Sequence, residues 1–390
     1  MRFPEFSGEW TKIKLGDLGS FFSGGTPSSS RKDFYGGEIP FIRSGELHSD
    51  STALSITKEA YDSCSAKMVN KGDLLLALYG ATSGDISISR ISGAINQAIL
   101  CIRPQYMDAY FIKSLWEKHK KHILETYLQG GQGNLSSEII KNISFFFPNS
   151  DEQVKISRLI HIIDDRIETQ SKIIEELNTL RSALIDKYIS DGYGQDGVQD
   201  IVTLGDNGVF IRGLSYSSSD VTDHVEMTGV IRSNNLESGH PVDTDTDVVF
   251  VRKQPSKEQQ LVCGDIVICM ANGSSALVGK ASQYQAMKDN MTVGAFCGIY
   301  RGTHPLTKWI FMSSTYSKAV ANAIQGGNGA IANLHGEDVL AMRFAIPRDC
   351  GDIKRLFELF SACDAKIIGA ERILAQYRLQ KRFLMQKMFI

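Results

Sequence analysis

Residues 151 to 189 constrain this chain more than any other stretch: DEQVKISRLIHIIDDRIETQSKIIEELNTLRSALIDKYI contains neither proline nor glycine. Stepping alternately by four and three residues from Ile156 selects Ile160, Ile163, Ile167, Gln170, Ile174, Leu177, Arg181, Leu184 and Tyr188. That is the a/d stripe of a paired helix, interrupted only by Gln170 and Arg181. At 1.5 Å per residue the segment is about 58 Å long, too long to be buried in one core, so it needs a partner helix.

The partner lies at the other end of the sequence. Adding 200 to each stripe position gives Leu356, Phe360, Cys363, Ile367, Ala370, Leu374, Tyr377, Lys381, Leu384 and Met388, and the polar Lys381 stands where Arg181 stood. Burying both stripes contributes about 25 to 50 kcal/mol gross, at about 1.5 to 3 per large side chain, before the ordering cost. The seam is therefore expected to comprise Ile156, Ile160, Ile163, Ile167, Ile174, Leu177 and Leu184 with Leu356, Phe360, Ile367, Leu374, Tyr377 and Leu384.

The segments before the two helices repeat as well. LGDLG (15 to 19) matches LGDNG (204 to 208), IRSGEL (42 to 47) matches IRSNNL (231 to 236), and KGDLLLALYG matches CGDIVICMANG with Gly72 over Gly264. QGGQG (129 to 133) matches QGGNG (325 to 329), and FFFP (145 to 148) matches FAIP (344 to 347). Matches in constant order with slowly drifting offsets mean a tandem duplication, each half a globular region followed by a long helix. In the first half, IPFIRS (39 to 44), DLLLALYG (73 to 80), ISISRI (86 to 91), AILCIRP (98 to 104) and ISFFFP (143 to 148) read as strands, and about 107 to 128 as a helix.

The expected fold is α+β: two tandem mixed α/β domains separated by two long helices paired as an antiparallel coiled coil, with pseudo-two-fold symmetry. Parallel pairing would need a connection back along the rod, for which SDGYGQDGVQD (190 to 200) is too short at about 3.5 Å per residue. The expected divisions are residues 1–150, a helix at 151–190, a linker at 191–203, residues 204–350, and a helix at 351–390.

Composition narrows the function by exclusion. Hydrophobic residues make up 42% and charged ones 22%, an ordinary soluble make-up, and no run is long and apolar enough for a signal sequence or membrane span. The expected location is cytoplasmic. The seven cysteines form no CxxC, so neither a zinc site nor a disulfide framework is expected. Residues 1 to 150 carry 16 basic and 15 acidic side chains, and residues 191 to 350 carry 12 and 17, so a broad basic field is absent. GSSALVGKA (273 to 281) has five residues between its glycines where a phosphate loop has four, and Ala281 where that loop needs Ser or Thr; it reads as a strand edge with a tight turn. No catalytic or metal-ligating constellation appears; His119 and His122, among Lys118, Lys120 and Lys121, read as a solvated or phosphate-facing basic cluster.

What remains suits contact with DNA, because Arg, Asn and Gln form bidentate bonds to base edges while Ser, Thr and Lys hold phosphates. Candidates in the first half are Ser23, Thr26, Arg31, Lys32, Arg43, Tyr79, Thr82, Ser83, Arg90, Asn96, Gln97 and Gln132. Those in the second are Arg212, Tyr216, Arg232, Asn234, Asn235, Asn272, Ser274, Ser275, Lys280 and Asn328. A non-enzymatic coiled-coil scaffold with protein-binding ends is the alternative, and a stand-alone enzyme a third class with no catalytic constellation to support it.

The diverged pair of domains, each closed by a QGG-type turn, a short strand ending in proline and a long helix opened in the first half by DEQ, resembles the specificity subunits of type I restriction-modification systems. The resemblance covers nearly the whole chain, and the second helix departs from it by opening with GDIKRLFELF. It implies that each globular half is a target recognition domain reading one portion of a bipartite site in double-stranded DNA, with the helices setting the spacer. It implies a non-catalytic chain that recruits two methyltransferase subunits and, in the full complex, two restriction subunits. No cofactor would be bound by this chain; S-adenosylmethionine, ATP and magnesium would belong to the partners, and no membrane is involved.

Overall fold

A computed structural model describes residues 1–127, 134–189, 199–324 and 332–389. Two compact units divide it: Met1–Ser171 with Arg372–Ile390, and Lys172–Glu371. The division passes through both long helices, Ser150–Tyr188 and Cys350–Met388, so each unit contains a piece of each helix.

In the first unit the strands Gly19–Ser23, Ile99–Pro104, Leu74–Ala77 and Ile86–Ile88 form an antiparallel sheet in that order. Every residue of Leu74–Ala77 is buried, which explains its continuous apolar run. A second sheet, Ser55–Ile56, Tyr35–Ile42, Gly93–Ile95 and Lys67–Val69, contains one parallel pair, in which Ile42 faces Ile95. Thr11–Lys14 pairs with Ser144–Phe147 just before the first long helix, and the helix Ala109–Tyr127 covers the first sheet through Phe111, Leu115 and Trp116.

The second unit repeats this plan. Gly208–Arg212, Cys297–Gly302, Ile266–Cys269 and Ala281–Gln283 form the equivalent antiparallel sheet, and Thr228–Ile231 runs parallel to Met291–Val293 with Ile231 facing Val293. Equivalent ion pairs brace both sheets: Arg103 Nη2 lies 2.6 Å from Asp73, and Arg301 Nη2 lies 2.8 Å from Asp265. Each aspartate follows a glycine at positive φ, Gly72 at 98° and Gly264 at 102°, which is why the GD pair recurs. The units differ at their margins: Val249–Val251 and Val221–Thr222 extend the second sheet on the side where the first unit has only Ser55–Ile56.

The expected strands, the helix after them and both long helices are present, with ends shifted by a residue or a few. One expectation fails: residues 199–203, assigned to a linker, form the strand Gln199–Thr203, paired with Arg343–Pro347 as Thr11–Lys14 pairs with Ser144–Phe147. Arg343–Pro347 supplies an open edge that the backbone of QDIVT satisfies, a partner too distant in sequence for local composition to indicate. GSSALVGKA is a turn between strands, with Gly279 at φ 81° and its carbonyl accepting a hydrogen bond from Tyr316 Oη at 2.7 Å. Among the described residues no helix is long and apolar enough to cross a membrane.

Candidate nucleic-acid interface

Two kinds of site follow from this plan: a seam between the helices and a polar cluster at one sheet edge in each unit. In the first unit Ile156, Ile160 and Ile163 share one core with Leu384, Met385 and Met388; in the second, Ile185 and Ile189 share one with Leu356 and Phe360. In the first unit Asp164 meets Lys381 and Arg166 lies over the Tyr377 ring, so rising numbers on one helix meet falling numbers on the other and the segments there run antiparallel. None of the expected seam residues is exposed.

The two charged interruptions of the apolar stripes, Arg181 and Lys381, are each answered by an aspartate. Arg181 Nη1 lies 2.9 Å from Asp364, both side chains 9% exposed, and Asp364 also accepts from Lys308 Nζ at 2.6 Å and Trp309 Nε1 at 3.1 Å. In the first unit Lys381 Nζ lies 2.8 Å from Asp164 and 3.0 Å from Glu117, and Asp164 also accepts from the Tyr110 hydroxyl. Asp164 and Asp364 are repeat equivalents, as are Arg181 and Lys381. Burial alone would raise the Asp164 carboxyl, but hydrogen bonds from Lys381 and Tyr110, with the charge of Lys113, hold it below the ordinary carboxylate range. Burial likewise opposes the Lys381 charge, and Glu117 and Asp164 outweigh it to raise that group. A slip of either helix would strand a buried charge, so the pairs fix register.

The polar clusters sit where the parallel strands end. In the first unit, the Asn96 and Ile95 carbonyls accept from Gly24 and Gly25 at 3.3 and 3.2 Å, Thr26 bonds Gln97, and Leu78 donates to the Ala98 carbonyl at 2.8 Å. These bonds gather Ser23, Thr26, Tyr79, Asn96 and Gln97 round one turn, with Arg43 at the end of the parallel neighbour. Arg43 donates to Glu46, and the Asn96 side chain caps the turn by accepting from Ala98, so neither is wholly free. Thr82 and Ser83 lie in the turn before Asp85, beside the helix Ala109–Tyr127, with Ser83 Oγ on the Leu78 carbonyl. Arg31 pairs with Asp33 and Glu59 and covers the Phe34 ring at 4.1 Å; Lys32 next to it is exposed. Arg90 reaches Glu168 on the first long helix at 2.8 Å.

In the second unit Arg212 ends one strand and is exposed, Arg232 ends the parallel strand, and Asn272 bonds Ser233 Oγ at 3.4 Å. Arg232 Nη2 donates to the Asp247 carbonyl at 3.1 Å, while its buried Nε finds no protein partner. Asn234 bonds Asp247, Tyr216 packs beside Leu214, and Ser274 and Ser275 are exposed in the turn that ends at the half-buried Lys280. Asn235 is a correction: it is 3% exposed, its amide nitrogen donates to the Thr246 carbonyl and its oxygen accepts from Arg232 N, so it shapes the loop and cannot reach a base. Gln132 and Asn328 lie outside the described residues. His119 rests against the Phe145 ring, 5.4 Å between centroids, and is not a free basic group.

Sequence reading passed over Phe296, 69% exposed at the tip of the second-unit turn. Its signal is faint: a lone aromatic in GAFCG between two apolar runs. Among the described residues no group of His, Cys, Asp and Glu is placed to hold a metal ion.

The described residues thus form two sheet-rich units that repeat one plan, each with a polar edge. Residues 7–179 match the family model described as the type I restriction modification DNA specificity domain. A specificity subunit of the type I restriction enzyme MjaIX from Methanocaldococcus jannaschii is 27% identical over 194 residues, 47% of this chain and 44% of that protein. The EcoKI specificity subunit of Escherichia coli K12 is 40% identical over 94 residues, 23% of this chain and 20% of that one. These alignments span less than half of the curated relatives. The crystal structure of a type I restriction-modification S subunit from M. genitalium has the same fold, with a TM-score of 0.62 at 14% identity over 100% of this chain and 99% of that one. The first half of the chain is thus similar to type I specificity domains, and the described fold is that of a solved S subunit.

Proposed function

We propose that this chain is the DNA-recognition subunit of a type I complex, with the first unit reading one half of a bipartite site and the second unit the other. The observation that carries this is the repetition of one construction, a parallel strand pair that ends just before Arg43 in one unit, with Asn96 and Gln97 after its partner strand, and just before Arg232 in the other, where Asn272 bonds Ser233. Arginine and amide side chains at fixed strand ends suit base edges, and their unlike loops suit unlike half-sites. Neither unit offers a strong positive field, so sequence-independent attraction is weak and discrimination rests on close contact.

Tethering both units makes the second contact intramolecular and raises its effective concentration. Two methyltransferase subunits and, in the full complex, two restriction subunits would carry the chemistry together with S-adenosylmethionine, ATP and magnesium. The test is a genome-wide map of modified adenines in cells carrying the system. A bipartite motif is expected, and exchanging residues 204–347 for those of a relative should change one half-site and leave the other. Random duplexes bound without preference, in the presence of the methyltransferase subunit, would favour a protein-binding scaffold instead.

A further inference from the structure

We propose that Phe296 is a wedge that enters an opened base step in the half-site read by the second unit, an inference that rests on the DNA-recognition reading above. A single exposed apolar residue is ordinary on a protein surface and needs no explanation by itself. What sets Phe296 apart is how it is held and what surrounds it. Its carbonyl accepts hydrogen bonds from Met270 at 2.8 Å and Ala271 at 3.2 Å, Gly294 accepts from Cys297 at 2.8 Å, and Gly294 donates to Ile231 at 2.9 Å. The backbone of the turn is pinned on both sides, yet the side chain it carries is 69% exposed. A large ring presented on an ordered backbone loses little freedom on contact.

The same hydrogen bonds tie this turn to segments that lead directly into cationic and amide residues. Arg232 follows Ile231, Asn272 follows Ala271, and Arg212 lies opposite Gly298, two residues beyond Phe296. An exposed apolar tip on a turn tied to segments that carry arginine and asparagine suits a side chain that separates stacked bases while polar neighbours hold the backbone. The first unit differs at this point. The carbonyl equivalent to that of Phe296, the one accepting from Leu78, belongs to Ala98, with Gln97 before it. The ring is therefore a feature of the second unit, the more acidic one, with 12 basic against 17 acidic residues between 191 and 350. Stacking gives affinity that does not depend on net charge, which is what that unit lacks.

The experiment uses the chain assembled with its methyltransferase subunit and duplexes carrying 2-aminopurine at successive positions of the second half-site. Binding should brighten 2-aminopurine at one step. Phe296→Ala should abolish that rise and weaken binding about 10-fold, the loss of one stacking contact, while Phe296→Trp keeps both. Because the ring is exposed, thermal midpoints should not move. Wild-type brightness and affinity in Phe296→Ala would overturn the wedge and leave bipartite recognition standing. Failure of the unsubstituted complex to prefer any sequence would remove the recognition reading, and the wedge with it. A variant that loses methyltransferase assembly while binding DNA normally would make Phe296 a protein contact and likewise overturn the proposal.

Discussion

Replacing Asp364 with alanine should be among the most destabilising single changes in the second unit. The Asp364 side chain is 9% exposed and its carboxylate accepts from Arg181, Lys308 and Trp309 at 2.9, 2.6 and 3.1 Å, so its removal leaves two cations facing each other in a nearly dry seam. Removing one member of a buried pair costs about 3 to 5 kcal/mol, because the stranded charge keeps its desolvation penalty. With a urea dependence of about 2 kcal/mol per molar, the unfolding midpoint should fall by about 1.5 to 2.5 M. Arg181→Met should cost less, since Asp364 keeps Lys308, and the double variant Arg181→Met with Asp364→Leu should recover some of the loss. Fluorine NMR on 5-fluorotryptophan reports the transition locally, because Trp309 belongs to the second unit while Trp10 and Trp116 belong to the first. A loss under about 1 kcal/mol for Asp364→Ala, or no coupling in the double-mutant cycle, would refute the idea that these charges hold the seam.

The equivalent first-unit pair is looser, with Lys381 and Asp164 side chains 23% and 22% exposed, so Asp164→Ala should cost only about 1 to 2 kcal/mol by the same assay. Because Asp164 is held below its unfolded value, its contribution is present above the ordinary carboxylate range and is lost as pH falls through the depressed value. Lys381 is raised, so its share holds below the ordinary lysine value and goes as pH climbs through the raised one; Asp164→Asn should flatten the acid limb and Lys381→Met the alkaline limb of stability against pH. Gly279→Ala should destabilise by at least about 2 kcal/mol in thermal or urea unfolding, since φ is 81° and the new methyl would sit 2.3 Å from Val320 Cγ1. Arg90→Ala should change stability by less than about 1 kcal/mol, because Arg90 and Glu168 are 45% and 39% exposed, and it should change less still in high salt.

Periodicity made the helices legible: a heptad stripe over so many residues has one physical solution, and copying it 200 residues on named its partner. The repeat, the all-apolar strand at 74–77 and the GD turns at Gly72 and Gly264 followed from local rules that act within a few residues. Two things did not. Arg181 and Lys381 read as flaws in an apolar stripe, because the carboxylates that complete them come from the opposite strand of the seam and from helices far off in sequence. Nor could residue type separate Asn235, whose amide is spent on the Thr246 carbonyl, from Asn234 beside it, or mark Phe296, whose exposure depends on hydrogen bonds to a strand ending at residue 231 and another beginning at 271. Pattern along the chain determines which surfaces must be buried; which polar groups are consumed in burying them, and which are left facing outward, depends on neighbours that only folding brings together.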